Sequence, residues 1–354
     1  MKRIDERDII FSRANYQKGS KCYEDYYLRN PEKKELDDSL RSRPDLCEEG
    51  TMTYNEINSK MANCAFEFLS DIDHLCEKDV VSEKIKVDSK TITKRLKGLA
   101  KQYGVSVVGV TKLKESHQYT HRGRKESSYG DEVNLNHKYA IVFGCEMDKE
   151  MINRSPMVSE VIETTKCYVD VSIVGMILSY FIRSLGYDAR NHMNANYLVM
   201  PVLLAQDAGL GEIGRNTILT NKDYGSRLRL GVVTTDLELE LDEPADFGLE
   251  DFCNMCKKCS FNCPSHSLSN EAKTSSDGTY NWGIDVDSCY TKWRYLGTDC
   301  GMCISACPFS QNLETIKNAT TFKDNPELIQ KSLDEFKKKF GSRVFVPGNP
   351  AWLR

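Results

Sequence analysis

The sequence predicts an α+β core followed by a smaller, cysteine-rich C-terminal domain. Three observations carry that expectation. At 354 residues the chain has room for about two domains of roughly 150 residues each. Up to about Asp246, β-branched runs are interspersed with segments of helical period, the mixture of an α/β or α+β core. After Phe252 the texture turns to Cys, Pro, Asn and Ser, which marks a boundary.

Residues 1–60 are polar and charged, with Tyr23, Tyr26, Tyr27 and Tyr54 spaced along them, and read as an extended or partly helical arm wrapping a core. Thr91–Tyr103 is a basic helix, and Val105–Val110 a β-branched strand. Residues 114–137 hold few apolar groups but many His, Arg, Ser and Gly, which predicts a long loop; such loops in compact domains are usually functional. Tyr139–Phe143 is a second buried strand. A helix is expected from about Ser159 to Leu185, with Val169, Ile173, Ile177 and Phe181 as its apolar ridge. Tyr168, Ser172, Gly175 and Ser179 form a second line, whose small members would admit either a large planar group or a tightly packed neighbour. Leu198–Ala205 reads as a short helix, Leu228–Thr234 as a strand, and Thr320–Arg354 as a tail packing back. The implied domains are a wrapping segment (1–90), a core (91–248), the cysteine-rich domain (249–319) and the tail (320–354).

The formal net charge of −4 offers no footprint for nonspecific nucleic-acid binding, so no nucleic-acid partner is expected. The longest uncharged apolar stretch, Val171–Ile182, is short of the roughly 20 residues of a spanning helix. The opening residues carry no apolar export segment, and a cytoplasmic protein is expected.

Cysteine is the anomaly. Of 14 in the chain, those at 253, 256, 259, 263, 289, 300, 303 and 307 are clustered, and clustered cysteines in a large chain favour metal over disulfides. Cys253-Asn-Met-Cys256-Lys-Lys-Cys259-Ser-Phe-Asn-Cys263-Pro264 is the bacterial ferredoxin run C-x₂-C-x₂-C-x₃-C-P. Its first three thiolates reach three corners of one cubane, and its fourth starts a helix turned toward another. Cys300-Gly-Met-Cys303-Ile-Ser-Ala-Cys307-Pro308 repeats the pattern, with its first cysteine displaced to Cys289. Crossed ligation then gives one [4Fe–4S] cluster on Cys253, Cys256, Cys259 and Cys307, and a second on Cys263, Cys289, Cys300 and Cys303. Zinc could use four thiolates per ion, but two interlocked C-x₂-C-x₃-C-P tails match ferredoxin geometry. The remaining residues should house the centre that uses the electrons.

Other motifs are weaker. Gly209-Leu-Gly211-Glu-Ile-Gly214 matches G-x-G-x-x-G, yet a dinucleotide fold needs a strand before it and a helix after it, and neither is expected. No G-x-x-x-x-G-K-[ST] is present. His117 and His121 read as solvated loop histidines. No D-x-H-x-x-G is present, so a corrinoid would lack a histidine lower ligand.

Taken together, the chain resembles the cobalamin-dependent reductive dehalogenases over nearly its whole length. The resemblance runs through Asp5–Arg13, Tyr23–Asp38, Phe181-Ile-Arg-Ser-Leu-Gly-Tyr187, Ala208-Gly-Leu-Gly-Glu-Ile-Gly-Arg-Asn216, Asp223-Tyr-Gly-Ser-Arg-Leu-Arg229 and the ferredoxin module with its displaced cysteine. It implies a nitroreductase-like core holding base-off cobalamin, joined to the two-[4Fe–4S] domain. It also implies replacement of carbon–halogen by carbon–hydrogen in an organohalide, through Co(I) fed by the clusters and a low-potential ferredoxin, flavodoxin or quinol-linked donor. Tyr168 maps onto the family's proton donor, Arg227 onto its cationic helper and Asn194 onto an adjacent polar position. Gly209, Leu210, Gly211 and Arg215 are implied as cofactor contacts. A phenol, with an ordinary pKa near ~10, keeps its proton at neutral pH yet is acidic enough to protonate carbon, and a guanidinium stabilises the phenolate left behind.

Respiratory members carry a twin-arginine export signal, so the alternative to a cytoplasmic protein is an exported one whose signal was removed, with a membrane anchor subunit as a further partner. Two rival functions are an epoxyqueuosine reductase-like enzyme acting on tRNA, whose donor is an aspartate, and an iron–sulfur electron carrier without chemistry of its own.

Overall fold

The computed structural model describes residues 3–276 and 279–354. Among them are eight strands: β1 (Val107–Lys112), β2 (Tyr139–Glu146), β3 (Ala189–His192), β4 (Glu212–Ile213), β5 (Leu219–Thr220), β6 (Leu228–Thr235), β7 (Thr274–Ser276) and β8 (Thr279–Asn281). The main sheet is antiparallel in the order β1-β2-β6-β3, with Val142 opposite Val232 and Asn191 opposite Val233.

Residues 140–145 of β2 are all buried because both faces of the sheet are covered. The two-residue period divides them. Ile141, Phe143 and Cys145 face one core with Val110 and Val233, while Ala140 and Val142 face another with Val199, Leu204, Ala208 and Val232. Each large apolar side chain so buried stabilises the fold by roughly 1.5–3 kcal/mol relative to exposure.

The first face packs on the core helix Val158–Ser184 and on the helix Ser89–Gln102, whose N-terminus is capped by Asp88 accepting from the Thr91 N–H at 2.8 Å. The second face is covered by the helix Pro201–Asp207.

The core helix is turned differently from the sequence expectation. Its buried ridge is Cys167, Val171, Val174, Leu178 and Ile182, whereas Ile173 is 42% exposed and Val169, Ile177 and Phe181 are only half-buried. Both lines repeat every three to four residues, and only the position of the sheet decides between them. The small-residue line is occupied by protein: a Cβ on Gly175 would lie 2.0 Å from Asn191 Oδ1, and Asn191 Nδ2 donates to Ser172 O at 3.1 Å. Small side chains there let β3 approach the helix, and no planar group is admitted between Gly175 and Asn191.

The loop 114–137 contains two short 3₁₀ turns, Glu115–His117 and Glu126–Ser128. His117, expected in solvent, is buried with Nε2 3.1 Å from Asp207 Oδ2, because the Pro201–Asp207 helix brings that carboxylate over it. The N-terminal segment is mostly helical and links this loop to the cysteine-rich region. Glu6 accepts from Gly123 N at 2.8 Å, Tyr129 joins Tyr16, Tyr23, Tyr26 and Tyr27 in an aromatic cluster, and Arg13 pairs with both Asp37 and Asp287. The tail helix Pro326–Phe340 buries Ile329 and Phe336 against Phe252, Phe309 and Phe322. Beyond it, Gly348 O accepts from Arg154 at 2.6 Å and Leu353 O from Asn58 at 3.1 Å.

Candidate functional site: a tyrosine–arginine pair beside two thiol sets

Tyr168 lies on the core helix, half-buried, beneath Phe66 of the helix Glu56–Ile72, with ring centroids 6.2 Å apart. Its cationic partner is Arg229. The Arg229 guanidinium carbon is 4.8 Å from the Tyr168 ring centroid, and Nη1 donates to the phenol oxygen at 3.3 Å. The start of β6 explains the choice, because only residues inside the strand alternate regularly between its faces. Arg229, Gly231 and Val233 point from β6 toward the core helix, so Arg229 arrives on the face that carries Tyr168.

The helper role expected of Arg227 is therefore corrected. Arg227 precedes the first residue of β6 and turns the other way, fully buried, donating to Ser310 O at 2.9 Å, Met147 O at 2.7 Å and Glu146 Oε1 at 2.6 Å. It ties the segment after Cys307 to the sheet. Asn194 is half-buried in the turn after β3, with no hydrogen bond among the described residues.

Arg229 is held from behind. Its Nη2 donates to Asp299 Oδ2 at 2.8 Å and to Thr164 Oγ1 at 2.9 Å. Desolvation opposes its charge, but attraction to Tyr168, Asp299 and Glu160 outweighs it, so the guanidinium stays protonated. Glu160 is wholly buried; desolvation first and the Asp299 carboxylate second push it well above the usual carboxylate range. Burial, then the neighbouring Tyr168, also raises the Tyr197 phenol. Among the described residues, no group accepts the Tyr168 hydroxyl proton, although its oxygen is occupied by a cation. The residues missed from sequence are Arg229, Asp299, Thr164, Glu160 and Tyr197; no sequence signal separates Arg229 from Arg227, two residues earlier and of the same parity.

The residues implied as corrin contacts are engaged in packing within the protein. A Cβ on Gly209 would meet Glu243 O at 2.3 Å and one on Gly211 would meet Thr220 O at 2.4 Å, so both serve close backbone packing, and Leu210 is buried in the second core. The G-x-G-x-x-G run follows a helix and enters β4, as no dinucleotide fold does. Arg215 belongs to the cysteine region, with Nε donating to Cys253 O at 3.1 Å.

The eight cysteines fall into two spatial sets. The helix Leu249–Cys256 ends in Lys257 at φ 51°, which reverses the chain and returns Cys259 toward Cys253 and Cys256. Cys307 joins these three, and all four line one cavity. Desolvation and then repulsion from Cys256, Cys259 and Cys307 push the Cys253 thiol up. In the other set, Cys303 is raised by desolvation and by Cys300, Cys259, Cys289 and Cys263 in turn. Cys259 thus lies near Cys303, where the two sets adjoin. Cys307 caps the 3₁₀ helix Pro308–Gln311, whereas Cys263 lies in a turn and starts no helix, contrary to expectation. Among the described residues, no three His, Cys, Asp or Glu side chains are gathered as one metal ion would need. Four thiols spread around a cavity suit a cubane instead.

A family model for a 4Fe–4S dicluster domain matches residues 252–311. Tetrachloroethene reductive dehalogenase of Desulfitobacterium hafniense is 34% identical over 219 residues, 58% of this chain and 39% of that protein, so the match spans about two-fifths of the relative. The catabolic reductive dehalogenase NpRdhA, solved in complex with 3-bromo-4-hydroxybenzoic acid, superposes over 97% of this chain and 47% of its own at TM-score 0.77 and 23% identity. A solved reductive dehalogenase described as suggesting a mechanism for B12-dependent dehalogenation gives TM-score 0.75 at 23% identity, over 97% of this chain and 47% of that one. The fold is the α+β fold of the solved reductive dehalogenases, with a C-terminal 4Fe–4S dicluster domain.

Proposed function

We propose that this chain replaces a carbon–halogen bond by carbon–hydrogen in an organohalide, consuming two electrons and one proton and releasing halide, with Tyr168 as proton donor and Arg229 as its cationic helper. The observation that carries this reading is the Tyr168 hydroxyl, whose oxygen accepts from Arg229 while its proton has no acceptor among the described residues. That is a donor set for protonating carbon: the guanidinium stabilises the phenolate that remains. Asp299 and Thr164 fix the guanidinium, and Phe66 shields the ring from one side.

Cobalamin, on which the B12-dependent relative's chemistry rests, would supply the electrons that break the carbon–halogen bond. The two thiol sets would hold [4Fe–4S] clusters by crossed ligation, reduced by a low-potential ferredoxin, flavodoxin or quinol-linked donor. Cys300 follows Asp299, so the set Cys263, Cys289, Cys300 and Cys303 stands on the Tyr168 side.

The experiment is halide release by the anaerobically loaded protein with a low-potential donor, against a panel of aryl and alkyl halides. Turnover that Tyr168→Phe abolishes supports the assignment; a Phe variant at the parental rate ends it. Absence of halide release with activity on epoxyqueuosine tRNA would favour the tRNA enzyme, and clusters without corrinoid uptake the electron carrier.

A further inference from the structure

Arg215 is 1% exposed, and its guanidinium is clamped on three sides. Nε donates to Cys253 O at 3.1 Å, Nη1 donates to Ser269 O at 2.8 Å and to Glu271 O at 2.6 Å, and the Trp282 ring lies 4.3 Å from its carbon. Trp282 is itself 2% exposed and fixed by Nε1 donating to Ile213 O at 3.2 Å. One nitrogen, Nη2, is buried with no partner among the described residues. Arg215 lines the cavity of Cys253, Cys256, Cys259 and Cys307. A buried guanidinium N–H left without an acceptor costs more than an ordinary lost hydrogen bond, so a fold that clamps it there needs an acceptor in that space.

The other thiol set has the opposite surroundings. Cys300 adjoins the carboxyls of Asp299 and Glu160, and a Cβ on Gly301 would lie 2.9 Å from Glu160 Oε1. The cation facing that set, Arg343, is half-buried and donates Nη1 to Ser155 O at 2.9 Å.

We propose that Arg215 donates its unpaired Nη2–H to the cluster held by Cys253, Cys256, Cys259 and Cys307 and makes it the higher-potential of two unlike clusters. This rests on the cluster reading above. Reduction adds one electron to a [4Fe–4S]²⁺ core, giving [4Fe–4S]⁺, and the added negative charge is stabilised by a fixed cation and an N–H donor. The electron comes from the low-potential donor. Beside Asp299 the buried cation, Arg229, is neutralised by the Asp299 carboxylate, so the cluster there is the harder to reduce and, once reduced, the stronger reductant. The chain then collects electrons at the Arg215 side and delivers them from the Tyr168 side.

The test is an EPR-monitored redox titration of the full chain reconstituted with iron and sulfide. Two one-electron waves are expected. Arg215→Met should move the higher wave to more negative potential and leave the lower in place, with Arg215→Lys between. An unmoved higher wave, or a shift confined to the lower one, overturns the proposal. Should the Met variant fail to assemble, wild-type protein carrying ¹⁵N-arginine decides: pulsed EPR should show nitrogen coupling on the higher-potential signal alone, and its absence overturns the proposal. Reconstitution to fewer than two cubanes would instead overturn the cluster reading, and this inference with it.

Discussion

Asp299 Oδ2 holds Arg229 Nη2 at 2.8 Å, and the next residue in the chain is Cys300. One ion pair therefore joins the loop that carries a thiol of the second set to the cation over Tyr168. A displacement of that loop would be felt at the phenol through a single side chain.

The first prediction separates the two arginines. Arg229→Met should lower halide release per folded molecule by ~10²–10³-fold, with Tyr168→Phe at least as severe, and it should also lose some stability because it strands Asp299. Arg227→Met should destabilise the protein by about 3 kcal/mol, since it strands Glu146 and the carbonyls of Met147 and Ser310. Turnover measured beside thermal unfolding distinguishes them, and equal profiles for the two variants would contradict the pairing.

Crossed ligation predicts an effect that sequence proximity would not. Cys263 sits in the first sequence group but with the second spatial set. Cys263→Ser should therefore perturb the signal of the cluster on Cys289, Cys300 and Cys303, and iron and sulfide should fall from about eight toward four atoms each. Cys307→Ser should perturb the other signal. Elemental analysis with EPR reads both.

Gly175→Ala should destabilise the fold by about 1–3 kcal/mol in denaturant titration, because the new methyl meets Asn191 Oδ1. Asn191→Ala in the same background should cost less than the two single effects added, since it removes the clashing amide. Strict additivity would mean that the two positions do not touch.

Stability should also fall as pH drops below about 6.5, and His192 is a source. Its Nδ1 accepts from Leu198 N at 3.2 Å, and Nε2 lies 2.8 Å from Thr234 Oγ1, inside the sheet. Burial first, then the charges of Arg190 and His137, hold it well below the ordinary imidazole range. The unfolded chain then binds a proton that the folded one does not, so stability present above pH 6.5 is lost at up to about 1.4 kcal/mol per pH unit below it. Denaturant midpoints at pH 7.5 and 5.5 measure the slope, which His192→Gln should flatten.

What was legible in the residues follows their periodicity. The C-x₂-C spacing announced two clusters because three thiolates on one tight loop suit a cubane corner wherever the loop sits. The helix expected at 159–185 runs Val158–Ser184, and the strand at 228–234 runs Leu228–Thr235. The face of that helix was misread because Val169 and Val171 are equally apolar, and only the sheet's position buries one more fully. Arg227 and Arg229 are likewise equivalent as text; the start of β6 sends one to Ser310 and the other to Tyr168.

By itself the sequence determined local geometry: which segments are helix or strand, which thiols share a loop, and which phenol stands on the core helix. The tertiary structure alone decided partners: Arg229 for Tyr168, Asp299 behind it, Arg215 at a thiol cavity, and Asn191 in the notch of Gly175. The physical reason is range. Backbone preference and side-chain period act over a few neighbouring residues, whereas an ion pair or a close approach depends on atoms tens of positions apart, which only the folded chain brings within hydrogen-bond distance.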